Sequence, residues 1–554
     1  MTCPKLDMLA GLPEGVYDMQ ATVVVIGGGA TGVGILRDLS MRGVKTILVE
    51  QKDLAYGTSS RFHGLLHSGG RYAVKDAESA QECIEENMIL RKIARHAVEE
   101  TEGLFVRLPE DDEQFEASWV AACAKVGIPT TPLTPAEAVR LEPQLTSRLV
   151  AAYRVPDSAI DGFRLVWQNV MSARRFGGQA LTYTEVIAIE HVNNQVVGVK
   201  VRNTLTGQTS SIACDYIVNA AGSWVGQVAH LAGIDVHVQP DRGVLIAFNH
   251  RFTSRVVNRL RPPSDGDIFV PHGSITILGT TSSPASRPDD TIPRTAEVAQ
   301  LLKIGQPLFE DLYNYRILRT FAGTRPLYSA DPSAAGRAAS RNFTIIDHEQ
   351  DGLQGLATIV GGKLTTYRLM AEKMADKVCA KLGVTAECRT AVEPLLEEAP
   401  AADMQAAKRF FPAYSVNQAV SRLGPKLHAV VKAMEAAPAK RQLLCECEMV
   451  TLAEVEAMAA DETSYSLEDV RRKTRMGMGT CQGAFCGFRS VGVAAANELI
   501  TGKDAPGLIA DFLEARWNGI RPVLWGNQLR EAELMRGIYG AALNIDGAVK
   551  HENE

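Results

Sequence analysis

Residues 21–50, ATVVVIGGGATGVGILRDLSMRGVKTILVE, restrict the fold more than any other stretch of the chain. A β-branched run over 22–26 has the length and composition of a buried parallel strand. Gly27, Gly29 and Gly32 follow in G-x-G-x-x-G spacing, 33–42 continue as a helix, and 45–49 form a second apolar strand closed by Glu50. Gly27 makes the tight turn, Gly29 lets the backbone approach a pyrophosphate, and Gly32 lets helix and strand pack closely. The helix start supplies free N–H groups and a positive dipole end for phosphates. Glu50 is placed to accept hydrogen bonds from a ribose. The glycine spacing alone is a weak signal, but strand, helix and terminal acid together specify a dinucleotide-binding unit.

With 554 residues the chain is too long for one core, and roughly two to four domains are expected. An apolar fraction of 46% and a mean hydropathy of −0.04 describe a globular chain. The formal net charge of −6 and the lack of a dense Lys/Arg run argue against nucleic-acid binding. MTCPKLDMLAGLPEG has no charged region followed by an adequate apolar stretch, so no secretory signal is expected, and no apolar run reaches membrane-spanning length. Ten cysteines in such a chain suggest metal or redox chemistry rather than a disulfide framework. Cys3, Cys83, Cys123, Cys214, Cys379 and Cys388 are scattered; the other four cluster near the C-terminus.

After Glu50 comes GTSSRFHGLLHSGGRY, residues 57–72, dense in glycine, hydroxyls and histidine and followed by a helical segment over 77–97. A backbone laid close against a flavin and its substrate needs such residues; a structural loop does not. Runs over 179–185 and 195–201 read as strands with Asn193-Asn194 as the turn between their neighbours, and 215–219 is a buried strand running into Ala220-Ala221-Gly222. Strands over 244–248, 267–270 and 275–279 suggest an antiparallel sheet inserted into the α/β domain, a platform for substrate. GLATIVGGKLTTYR, residues 355–368, reads as strand, Gly361-Gly362 turn and helix. That helix start would face the flavin pyrimidine edge and stabilise a reduced flavin, with Lys363 adding a charge.

These signatures, with VNAAGSWV and AGTRPLY, are similar to those of the flavin-dependent glycerol-3-phosphate dehydrogenases over about the first 385 residues. The resemblance implies an α/β fold: a Rossmann-like FAD domain of the glutathione-reductase/D-amino-acid-oxidase type, an inserted antiparallel substrate sheet, and hydride transfer from C2 of sn-glycerol 3-phosphate to flavin N5. By motif it places Arg71, Arg325, Arg341 and Lys363 around the substrate, a set of guanidinium forks and one point charge that suits a phosphate dianion. It places His63 in the catalytic group too. FAD would lie against Gly27, Gly29, Gly32, Glu50, Thr58, Ser59, His63, Gly64, Ala221, Gly222, Gly362, Lys363, Leu364 and Thr365. The aerobic branch carries a KGSH-like stretch where this chain reads Asp241-Arg242-Gly243-Val244. The proton acceptor for the C2 hydroxyl is left open among His63, His67, His272, a water or an arginine-linked network.

From 393 to 440 the composition shifts to Ala, Pro, Glu and Lys, marking a linker with short helices between an oxidoreductase domain (1–392) and a cysteine module (441–495), with a helical tail over 496–554. The module reads C-x-C at Cys445 and Cys447, 33 intervening residues, then C-x4-C at Cys481 and Cys486, with helices expected over 454–460 and 467–474. Four thiolates flanked by glycine turns suit an iron–sulfur cluster or a structural zinc. The block resembles the bacterioferritin-associated-ferredoxin type of [2Fe–2S] domain, whose second pair is commonly C-x2-C. CQGxxC and the tail FLEARWNGIRPVLWGNQLREAEL resemble the catalytic polypeptides of the anaerobic branch of the same dehydrogenases. That resemblance implies electrons passing through the cluster to a second flavin subunit, to an iron–sulfur membrane-anchoring subunit, then to quinone, with the chain peripheral on the inner face of the cell membrane. Two other readings stay open: a flavin dehydrogenase of another 2-hydroxy acid or amino acid, and a non-catalytic electron-relay or regulatory subunit.

Overall fold

In the computed structural model, which describes residues 19–328, 342–496, 505–542 and 545, the β-branched runs build a six-stranded sheet. Its order is Gln179–Leu181, Thr46–Val49, Val23–Ile26, Tyr216–Asn219, Leu356–Gly361 and Phe343–Asp347, all parallel except the last. The central strands are buried on both faces, as near-continuous valine and isoleucine runs require. Helix Ala30–Met41 covers one face together with Gly162–Arg174 and Tyr367–Leu382, and Val33, Leu36, Leu39, Val170, Met374 and Val378 share that core. Complete burial of each leucine there is worth about 1.5–3 kcal/mol. A three-stranded meander, Thr184–Val192, Gln195–Asn203 and Thr209–Ala213, covers the opposite face.

The inserted sheet is larger than the sequence suggests. Strand Gln239–Phe248 pairs antiparallel with Ile275–Gly279 on one side and with Ile317–Leu327 on the other. The sheet runs on through Ile268–His272 and Val256–Arg259 to Gly103–Arg107, Ala151–Val155 and Thr131–Leu133. Those last three strands are short and lack clear alternation. In register, Asp241 stands opposite Arg325 and Gly243 opposite Gly323. The expected helix over 77–97 ends at Ile93, and its N-cap Asp76 accepts from the Ser79 N–H.

Residues 401–436 form three helices, Ala401–Ala407, Val416–Leu423 and Leu427–Ala436. Phe411, Val420, Leu423 and Val430 lie in one core with Leu444, Val450, Met458, Val470 and Cys486. The short hairpin Leu443–Cys445/Val450–Thr451 leads to helices Leu452–Ala459 and Leu467–Thr474, each opened by a capping box. Helices Cys486–Ala496, Ala505–Ile520 and Gly526–Arg536 complete this end of the chain. Among the described residues no helix is long and apolar enough to cross a membrane.

Candidate active site and cysteine cluster

A cavity of about 470 Å³ runs from the glycine turn across the C-terminal ends of the parallel strands to the edge of the inserted sheet. Its walls include Gly27, Gly29, Glu50, Thr58, Ser59, Ala221, Gly222, Gly362, Lys363, Leu364 and Thr365, so most of the expected cofactor-facing residues converge on one space; Gly64 is not among the lining residues and packs against His272. Gly32, behind the wall, is explained by packing: a Cβ there would lie 1.9 Å from the Gly27 carbonyl oxygen. Gly27 has φ +114°, and a Cβ on it would meet the Ala220 carbonyl at 2.7 Å. Glu50 accepts the Gly28 N–H at 2.7 Å and the Lys52 N–H at 2.8 Å. Burial pushes its carboxyl up, and these two backbone donors oppose the shift. Ser59 Oγ accepts the Ala30 N–H at 2.8 Å, and Thr58 donates to the Thr324 carbonyl at 2.6 Å. The helix start at Ala30, the acid at the strand end and the glycine-floored cleft fit the pyrophosphate and ribose of FAD.

The same cavity is lined by His63, His67, Tyr72 and Arg325, with Lys363 beside Tyr72. The His67 N–H donates to Thr365 Oγ1 at 3.1 Å, which ties the histidine-rich loop to the turn after Gly362. Lys363 Nζ donates to Ser79 Oγ at 3.0 Å and lies 5.1 Å from the centre of the Tyr72 ring. Arg325 pairs with Asp241 and donates to Thr280 Oγ1 and, at 3.1 Å, to the Thr281 carbonyl. Its guanidinium lies over Gly243, where a Cβ would come within 2.5 Å of Nη2; the glycine in DRGV therefore seats the arginine.

His63 Nδ1 accepts the Leu65 N–H at 3.1 Å. Burial, reinforced by the Arg325 and Arg71 cations, holds its pKa at about 3, so the ring is neutral with its proton on Nε2. It therefore presents a donor to the cavity. His272 packs behind the loop, against Gly64, and is not among the residues lining the cavity. Arg71 turns its guanidinium to Asp267 at 3.1 Å and to the Ser264 carbonyl; it too is absent from the cavity wall. Arg341 lies outside the described residues. Arg242 is buried against Asp290 and Glu297, so this position carries no group into the cavity. Sequence reasoning missed Asp241, although the DRGV departure pointed to the right strand. It missed Tyr72 as well, which follows Arg71 in HSGGRY.

The four clustered cysteines come together in two contacts. Cys445, on the hairpin, meets Cys486, the first residue of its helix; Cys447 meets Cys481. The neighbouring Cys486 thiol lowers the Cys445 thiol, against the opposing effect of burial. Burial raises Cys481. Thr480 Oγ1 lies 3.7 Å from Cys447 Sγ. Among the described residues no three His, Cys, Asp or Glu side chains converge on a point that would hold one ion. Four neighbouring thiols are the donor set of either a tetrahedral zinc or a two-iron cluster.

Residues 22–368 match the FAD dependent oxidoreductase family. The chain is 44% identical over 528 residues to the A-subunit of anaerobic glycerol-3-phosphate dehydrogenase from Escherichia coli K12, covering 95% of this chain and 97% of that one. Against the A1-subunit of the enzyme of the same name in Haloferax volcanii the identity is 42%, with 95% and 91% covered. Among solved structures, the glycerol-3-phosphate dehydrogenase of Bacillus halodurans in complex with FAD shares the fold, with a TM-score of 0.70 over 92% of this chain and 97% of that one at 23% identity.

Proposed function

The chain belongs to the FAD-dependent oxidoreductases, in the line of the catalytic polypeptides of anaerobic glycerol-3-phosphate dehydrogenase, and on that premise we propose that its cavity oxidises sn-glycerol 3-phosphate to dihydroxyacetone phosphate. The observation that carries this reading is that Arg325 and Lys363 both line the cavity, together with His63, His67 and Tyr72. A fork and a point charge there meet a phosphate dianion with charge-assisted hydrogen bonds. When bound, FAD accepts the C2 hydrogen with its electron pair as a hydride.

The protein's own groups prepare that transfer. Asp241, Thr280 and the Thr281 carbonyl hold Arg325 from one side, which fixes its fork at the cavity wall. His63 donates from Nε2, which steadies the C2 oxygen as its proton leaves. His67 is the other imidazole on the cavity wall, and we assign it the C2-hydroxyl proton. Arg71 acts at one remove, fixing through Asp267 the loop that carries His67 and Tyr72.

In the same reading Cys445, Cys447, Cys481 and Cys486 hold a [2Fe–2S] cluster that relays electrons singly to partner subunits, and through them to quinone at the inner face of the membrane. Two contacting thiol pairs support this donor set.

Anaerobic addition of sn-glycerol 3-phosphate to the purified flavoprotein should bleach the flavin, while lactate or glycerate should not. Bleaching by the unphosphorylated acids, or none by the phosphate ester, would overturn the substrate. Cys481→Ser should lose iron and acid-labile sulfide yet still bleach; zinc without iron in the wild-type protein would replace the cluster by a structural ion. Flavin content of the variant is read alongside, because metal binding also contributes folding energy.

A further inference from the structure

The last part of the chain gathers exposed apolar side chains on one face. Phe485, Leu534, Leu529 and Ile538 are 61%, 58%, 47% and 42% exposed, unusual values for large apolar residues in one neighbourhood. Phe485, Leu534 and Ile538 border an open groove of about 1450 Å³, and Leu529 continues the surface beside it. Phe488, stacked on Tyr539 at 4.7 Å, stiffens its wall.

Two further observations give this face a direction. Cys481, one of the four clustered thiols, and its neighbour Thr480 line the same groove, so a molecule seated there would lie against the cysteine cluster. Among the described residues Arg316, Arg489, Arg516 and Arg530 border the groove with one carboxylate, Glu531; Arg316 pairs with Glu531 at 3.0 Å and Arg489 with Glu446, which leaves Arg516 and Arg530 as the rim's excess positive charge in a chain whose formal net charge is −6. An apolar centre with an arginine rim is the composition of a protein interface. A concave groove matches a protruding protein element better than it matches the plane of a bilayer.

We propose that this groove docks an electron-accepting protein partner, one that presents an apolar knob ringed by Asp and Glu and so brings its own redox centre beside Cys481. The proposal rests on the relay reading of the four cysteines and adds the surface through which electrons leave the chain. Complementary charge around the rim steers such a partner and fixes its register.

The test places a benzophenone photo-crosslinker at position 534 of the tagged full-length chain, in cells that express its partner subunits. Illumination should join it to a different polypeptide that carries flavin or iron, through a segment containing Asp or Glu. In parallel, Leu534→Glu with Ile538→Glu should reduce quinone-linked turnover in membranes at least tenfold, and Arg530→Glu should weaken it with a reduced salt dependence. Flavin bleaching by sn-glycerol 3-phosphate and turnover with a dye that accepts directly from flavin should stay at wild-type levels. Cross-links confined to the chain's own C-terminal residues, to a second copy or to lipid would overturn the proposal, as would undiminished quinone-linked turnover in the double variant. Should the wild-type flavin fail to bleach while the cross-link to a redox partner forms, the substrate reading falls and the docking face stands.

Discussion

Arg325 illustrates how one side chain is aimed by several others. Asp241 pairs with it across adjacent strands, Thr280 and the Thr281 carbonyl take a second amino group, and Gly243 leaves room for the fork to lie flat. Arg325→Ala should keep FAD but lose a charge-assisted contact worth ~2–5 kcal/mol, a rise in KM for sn-glycerol 3-phosphate of roughly thirtyfold or more. Asp241→Asn keeps the guanidinium and loosens its aim, so a smaller rise of about tenfold, or ~1.4 kcal/mol, is expected. An unchanged KM in Arg325→Ala would remove that residue from the site. Histidine charge gives a second handle at this scale. His272 is held at about 4, first by burial and then by the Arg475 cation, with Asp161 opposing. Its unfolded value is the ordinary 6.5, so below that pH the unfolded chain binds a proton that the folded ring refuses. Stability is therefore lost as pH falls from 6.5 towards 4. Buried carboxyls such as Glu50 and Asp157, raised by burial, act with the opposite sign. The comparison of wild type with His272→Gln isolates the histidine: Tm should drop less steeply on acidification in the variant, and parallel Tm curves would refute the assignment.

At the scale of elements, the strand–turn–helix that opens the chain holds its acid by backbone. Glu50 sits at the end of Thr46–Val49 with one oxygen on the Gly28 N–H and the other on the Lys52 N–H. Glu50→Ala should weaken FAD retention, read as flavin-to-protein ratio after dialysis, while normal flavin content would contradict the ribose assignment. This unit was legible in the sequence because its information is local: three glycines, a β-branched run and an acid within thirty residues determine where a dinucleotide can lie. The loop from 57 to 72 was legible for the same reason, through its density of small and hydrogen-bonding residues. Asp241 was not, since its function arises from a register with Arg325, 84 residues away, that only sheet pairing creates. Arg71 shows the converse. Its motif points to substrate, yet Asp267 takes the guanidinium, and no local pattern announces that partner. The Ala- and Pro-rich composition over 393–440 suggests a linker with short helices, and the apolar faces of the helices at 401–436 become intelligible only against the core of the cysteine module.

At the scale of the whole molecule, the cysteine module is not tethered loosely to the flavin domain but docked on it by ion pairs. Arg472 binds Asp53 at 2.6 Å, Arg174 binds Asp461 at 3.2 Å, and Arg475 bridges Asp161 at 2.9 Å and Glu448 at 3.1 Å. Arg475 is the most informative of these. Asp161 caps the helix Gly162–Arg174 that packs on the loop at Ser59 and Phe62, while Glu448 follows Cys447, so one guanidinium joins the cavity wall to the cysteine hairpin. Arg475 also holds a left-handed backbone, φ +65°, at the end of helix Leu467–Thr474. A non-glycine residue there costs about 1–2 kcal/mol, so Arg475→Gly separates backbone from side chain. The glycine relieves that strain but leaves two buried carboxylates without their shared cation, a loss of about 3–5 kcal/mol. The second figure is larger, so the variant should be less stable by a net ~1–4 kcal/mol. On the proposed relay it should also bleach normally with sn-glycerol 3-phosphate while passing electrons from flavin to the proposed cluster more slowly in stopped-flow spectra, because the two halves are no longer held in register. A variant more stable than wild type would show that the bridge contributes less than the backbone strain it accompanies. Unchanged flavin-to-cluster kinetics in a destabilised variant would confine Arg475 to stability and remove it from the electron path.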